Sequence, residues 1–219
     1  MDPRQLDRHV TGCAAAHQRL LGHLDELGAD LDPRQPSLLP QWTVGHVLSH
    51  LARHAESQAG VFAAAAEGRA TERYPGGREG RLAGIEQGAA KPSDVLVGEV
   101  RRSIWQLESA WATCPPEGWS IVGTSLGRPE PVAELPWLRW REVEIHHADL
   151  GLRGFAYTDW SPEYVRLELD RAVMSWRATH AMGATQLPDA ALALPPARRL
   201  AWLVGREQID GLPRVPQWF

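Results

Sequence analysis

A single lysine, Lys91, stands among 23 basic residues, and Cys13 and Cys114 are the whole thiol complement of the 219-residue chain. Two cysteines cannot staple a fold of this length, and a reducing compartment keeps them as thiols, so both are expected as small buried apolar residues. There is no basic excess either. A net charge of −4 and a pI near 6.1 give no positive field for DNA or RNA, and nucleic acid is not an expected partner. Long apolar runs are missing, with none approaching the roughly 20 residues of a membrane helix. The opening stretch MDPRQLDRHV lacks the basic-then-apolar order of a signal peptide. The expectation is a cytoplasmic protein with no membrane partner. Scarce lysine beside abundant Ala, Gly and Pro reads as the coding bias of a GC-rich genome.

What is present is globular: 43% hydrophobic and 23% charged residues exclude disorder as the default. The length fits one ample core, or a larger domain with a small appendage. Ten Trp and nine His are both high, and the histidines gather in two short stretches where function is to be sought.

Asp2 followed by Pro3 reads as an N-cap with proline in the first helical position. Leu6, Val10, Cys13, Leu20, Leu24 and Leu27 then recur at helical spacing up to Gly28. After a proline-bearing connector, Thr43 caps a second helix running to about Glu67. Gly68 to Pro92, rich in Gly, Arg and Pro, is expected as a long loop with at most a helical turn at Arg81 to Gln87. Ser93 is expected to cap a third helix ending before Pro115-Pro116, a small hairpin or an irregular excursion is expected within Trp119 to Val132, and a fourth helix over about Leu135 to Leu150. These elements predict a mainly α fold, a four-helix bundle over 1–152. A small C-terminal appendage over 153–219, open to some β structure, carries a helix capped at Ser161-Pro162 and a shorter one near Ala197 to Val204.

His46, His50 and His54 are spaced i, i+4, i+8 and line one face of the second helix, roughly opposite an apolar stripe of Leu48, Leu51, Ala55, Ala59 and Phe62. From that helix alone a solvated polar face is the favoured reading. The fourth helix changes it. Glu142 and His146 sit one turn apart on the side carrying Leu135, Leu138 and Ile145, while Glu144 and His147 project with Trp137 and Trp140. An acid and an imidazole on an apolar face need partners. Either they bond to each other within the bundle, or they join a His of another helix around a metal, with three N/O ligands in the catalytic zinc pattern. Asp149, one turn beyond His146, is a candidate partner for an imidazole N–H or else faces a nearby arginine.

The segment LPQWTVGHVLSHL, Leu39 to Leu51, resembles the LPGWTVxxVLxHLA signature of the mycothiol-dependent maleylpyruvate isomerase family, a branch of the DinB-like metalloenzymes. RWREVEIHHADLG, Arg139 to Gly151, is similar to the family's RxxEVxxHxxDLG block. YPGGREGRLAGIEQGA, Tyr74 to Ala89, and the tail LAWLVGR ending at Arg206 with Gly211-Leu212-Pro213, resemble two further blocks. The resemblance implies a DinB-like bundle with zinc, or another divalent metal, held by His50, Glu142 and His146. It implies mycothiol as the thiol cofactor in a cleft between bundle and C-terminal region. Arg81 and Arg206 are then catalytic and cofactor-binding candidates that meet carboxylates of the cofactor or substrate, with Asp149 also counted near the cofactor.

The expected function is zinc-assisted ionisation of the cofactor thiol for addition to a small electrophile, maleylpyruvate cis–trans isomerisation being the leading case. Alternatives are a mycothiol S-transferase, a hydrolase using metal-bound water, and a non-catalytic bundle in which His54 or Asp149 completes a four-ligand site.

Overall fold

The computed structural model describes residues 2–180 and 186–217. The chain divides into two compact units, residues 1–154 and 155–219.

In the first unit, α1 (Pro3–Leu27) starts where Asp2 Oδ1 accepts the Arg4 N–H at 3.1 Å, with Pro3 in the first turn, and stops at Gly28 with φ +49°. α2 (Val44–Ala66) opens on a reciprocal cap: the His46 N–H donates to Thr43 Oγ1, and the Thr43 N–H donates to His46 Nδ1 at 3.1 Å. α3 (Gly77–Ala89) replaces the long loop expected at Gly68 to Pro92. Its glycines lower helix propensity, but they are what its packing requires. A Cβ on Gly88 would lie 2.0 Å from Ser49 Oγ, and one on Gly45 would lie 2.4 Å from the Ala89 carbonyl oxygen. α3 therefore lies against α2 closer than any larger residue permits.

α4 (Ser93–Thr113) begins one residue earlier than expected: Pro92 is the cap, and Ser93 is already helical with no side-chain capping bond. The short α5 (Pro116–Trp119) follows. β1 (Val122–Ser125) and β2 (Arg128–Pro131) then pair antiparallel, Ser125 opposite Arg128, through a turn at Leu126 (φ +50°) and Gly127 (φ +76°). The Glu72 carboxylate stitches this turn down, accepting from the Leu126 and Gly127 N–H groups and the Thr124 hydroxyl. α6 (Leu135–Asp149) completes the unit.

α1 packs on α6 and α4, and α2 on α4 and α6, closing a four-helix bundle. Leu20, Leu48, Leu51, Val100, Ile104, Leu107, Trp137 and Ile145 are fully buried in its core. Each such side chain contributes about 1.5–3 kcal/mol relative to exposure. Gly12 lets α1 ride directly on the Trp140 ring, where a Cβ would come within 2.2 Å.

The second unit holds α7 (Pro162–Thr179), the short α8 (Asp189–Leu192) and α9 (Pro196–Leu203). α7 packs on α9 around Tyr164, Trp176, Leu200 and Trp202, and the Trp202 indole N–H donates to the Pro213 carbonyl at 2.9 Å. Among its described residues there is no strand. No helix among the described residues is long and apolar enough to cross a membrane.

Candidate metal centre

α6 is buried on nearly every face because α1 lies along one side of it and α2 along another. Its buried charged residues therefore need partners inside the bundle. Toward α1, Glu144 accepts from Arg19 and from the Trp140 indole N–H at 2.9 Å, and His147 Nε2 lies 2.7 Å from His23 Nδ1. Burial pushes the His147 imidazole down to about 3. Toward α2, Glu142 and His146 meet His50.

The solvated face that α2 taken alone suggests for His46, His50 and His54 is not what the fold makes. His50 and His54 are only 2% and 3% exposed, because α2 is covered by α3 and α4 on one side and α6 on the other. Each of the three takes a different partner. His46 is spent on the helix cap, with Nε2 3.2 Å from Glu86 Oε2. His54 Nδ1 accepts from Arg139 Nη1 at 3.4 Å. His50 Nε2 lies 2.7 Å from Glu142 Oε2, with the Trp42 ring edge-on 5.7 Å away.

His146 Nε2 lies 3.3 Å from the same Glu142 oxygen, and one donor atom from each of His50, Glu142 and His146 falls within 4.8 Å of the others. The rings of His50 and His146 stand edge to face, their centroids 4.7 Å apart. His146 Nδ1 donates to Asp149 Oδ2 at 2.8 Å. The proton on Nδ1 leaves Nε2 turning a lone pair toward Glu142 Oε2, and a proton or a cation must lie between two such atoms. This N₂O donor set, with a carboxylate orienting one imidazole from behind, fits zinc or a similar divalent ion.

Burial and the mutual contacts of the three residues set their charges in opposite directions. Burial by itself raises the Glu142 carboxyl, but His54, His146 and His50 around it outweigh burial and hold it well below the usual carboxylate range. Burial brings His50 down to about 4 against the pull of Glu142, so its ring is neutral. At His146 burial acts downward too, and the bonds to Asp149 and Glu142 reverse it and raise the imidazole. Cys13 is buried, its Sγ 3.8 Å from His17 Nε2, and burial pushes its thiol up, as it does for half-buried Cys114.

Arg139 is the buried charged residue that residue-level reading of the sequence passed over. Its guanidinium is fully buried at the centre of the bundle. Nη1 donates to the Leu51 carbonyl at 2.8 Å and to His54, and Nε donates to His17 Nε2 at 3.0 Å. His17 Nδ1 in turn donates to Glu108 at 2.8 Å. The signal was available: Arg139 precedes Glu142 by three residues on the inward stripe of α6, where a cation must find acceptors. Arg139 accepts nothing in return, so a neutral His54 carries its proton on Nε2 and offers no lone pair to a metal. Arg81 lies on α3, half-buried, its Nη2 3.3 Å from His50 Nδ1 and its Cζ 5.9 Å from the Tyr74 ring centre. Arg206 lies in the second unit just after α9, where Nη1 donates to the Val204 carbonyl at 3.3 Å.

The family model of the mycothiol maleylpyruvate isomerase N-terminal domain matches residues 13–151. Two solved structures share the fold. A His-to-Ala mutant of the mycothiol-dependent maleylpyruvate isomerase superposes with a TM-score of 0.82 at 24% identity, covering 97% of each chain. The mycothiol-dependent maleylpyruvate isomerase superposes with a TM-score of 0.80 at 24% identity and the same coverage. Among curated proteins none matches.

Proposed function

This chain belongs to the family of the mycothiol maleylpyruvate isomerase N-terminal domain, and on that premise we propose that it is a zinc- and mycothiol-dependent enzyme acting on a small electrophile, maleylpyruvate cis–trans isomerisation being the leading case. The observation that carries this reading is the convergence of His50, Glu142 and His146 donor atoms within 4.8 Å in the buried bundle. A divalent ion there would supply the Lewis acidity that keeps a thiol ionised at neutral pH, and mycothiol the sulfur nucleophile able to add to a conjugated double bond, permit rotation and leave again.

The protein's own residues divide the remaining work. Glu142 brings the ligand charge, and His50 and His146 bring imidazole nitrogens. Asp149 holds the proton on His146 Nδ1 and so aims Nε2. Arg139 ties up His54, which limits the histidine ligands to two and keeps the set at three, the pattern of catalytic rather than structural zinc. Arg81, beside His50 on the half-buried face of α3, is suited by its bidentate fork to a substrate carboxylate. Arg206 is carried as a further anion anchor on the resemblance of the tail segment.

The test is metal analysis of protein purified without chelator, followed by NMR of maleylpyruvate incubated with protein, with and without mycothiol. The expected result is near-stoichiometric zinc and fumarylpyruvate formed only when both are present. An accumulating mycothiol adduct would make the enzyme an S-transferase, and thiol-independent cleavage of maleylpyruvate by water to maleate and pyruvate would overturn the reading in favour of a hydrolase.

A further inference from the structure

Arg81 and a metal compete for the proton arrangement of one imidazole. A guanidinium can only donate, so the 3.3 Å contact from Arg81 Nη2 requires a lone pair on His50 Nδ1. A neutral ring then carries its proton on Nε2, where Glu142 Oε2 waits at 2.7 Å to accept it. The two contacts agree on a single tautomer. Ligation through Nε2 demands the opposite one, with the lone pair on Nε2 and the proton on Nδ1. That proton would face the N–H of Arg81, donor against donor. His146 carries no such conflict, because its Nδ1 already donates to an acceptor, Asp149.

Something must yield when a metal binds, and Arg81 is placed to do so. It projects from α3, half-buried, with the Tyr74 ring as its other neighbour. Arg139, by contrast, is pinned at its other end to the Leu51 carbonyl and to His17, so its bond to His54 persists. Leaving His50 also takes a positive charge away from the incoming cation.

We infer that Arg81 is a metal-coupled anion clamp: docked on His50 Nδ1 in the metal-free protein, displaced when His50 Nε2 ligates a metal, and only then available to a carboxylate of the substrate. The order of assembly follows, metal before anionic substrate, and binding of each favours the other by the same factor. This rests on the metal reading above, and the two can fail separately.

Side-chain 15N shifts of labelled histidine report the tautomer directly, without turnover. His50 is expected to carry its proton on Nε2 in zinc-free protein and on Nδ1 in zinc-loaded protein. Arg81→Gln offers a carbonyl that can accept from Nδ1–H, so its zinc affinity, measured by competition with a chromophoric chelator, should rise about fivefold or more. Maleate, used as the probe dicarboxylate in calorimetry, should bind zinc-loaded wild type at least about tenfold tighter than the zinc-free form, and Arg81→Gln should lose that advantage. A zinc-free ring protonated on Nδ1, an Arg81→Gln zinc affinity equal to or below wild type, or a maleate advantage that survives the substitution would each overturn the clamp while leaving the metal site standing. A wild-type protein that takes up no zinc would bring down both.

Discussion

His146 Nδ1 lies 2.8 Å from Asp149 Oδ2, one turn further along the same helix, with both side chains 2% exposed. A buried carboxylate behind an imidazole settles which nitrogen carries the proton, and hence which nitrogen faces Glu142. In metal sites such partners are worth about 10–100-fold in affinity. Asp149→Asn keeps the shape and removes the charge. Its zinc affinity, read by chelator competition, is expected to fall by that range while the helix content in circular dichroism stays unchanged. An unchanged affinity would make Asp149 a helix-end residue only.

Three histidines share one face of α2, but their partners predict different behaviour. His50→Ala should abolish stoichiometric zinc. His54→Ala should retain it, because Arg139 has already claimed that ring, though loss of an acceptor for a buried guanidinium should cost about 1–3 kcal/mol of stability. Zinc content of the two purified proteins separates them. Loss of metal from His54→Ala with retention in His50→Ala would reverse the ligand assignment.

Gln41 holds a φ of +67° in the turn leading into α2, a conformation that costs a non-glycine residue about 1–2 kcal/mol. The family-like signature carries glycine at this place. Gln41→Gly should therefore stabilise the protein by about 0.5–1 kcal/mol, the relief being partly offset by greater freedom of the unfolded chain. Urea unfolding at neutral pH checks the sign.

His17 is fully buried between Arg139 and Glu108, and burial pushes its imidazole from 6.5 down to about 4 despite the upward pull of Glu108. Between those values the unfolded chain binds a proton that the folded protein refuses. Stability from this group is therefore complete above about pH 6.5 and declines as pH falls toward 4, by at most about 3 kcal/mol. His17→Gln keeps an acceptor for Arg139 and a donor for Glu108 without titrating. Urea unfolding at pH 7 and pH 4.5 should show a smaller acid loss in the variant than in wild type. Equal losses would mean that other buried histidines carry the whole effect.

Local chemistry was enough to place much of this molecule. Asp2-Pro3, Thr43 and Gly28 act within a turn of themselves, so the ends of α1 and the start of α2 were legible from neighbouring residues alone. The i, i+4 spacing of Glu142 and His146 likewise dictated a shared face, whatever lay opposite. What lay opposite came only from the tertiary structure. His46, His50 and His54 are equivalent along α2, and they were distinguished by what the fold brings to each: Glu142 is 92 residues from His50, Arg139 is 85 residues from His54, and His46 is shared between its own cap and Glu86, 40 residues away. α3 escaped for the same reason. Gly88 reads as a breaker while the chain is taken one window at a time, and together with Gly45 it becomes the condition for a helix once α2 and α3 must approach within the width of a methyl group. Spacing determines which residues share a face. Only packing determines what that face meets, since the contacts that decide it join segments whose separation along the chain carries no local signal.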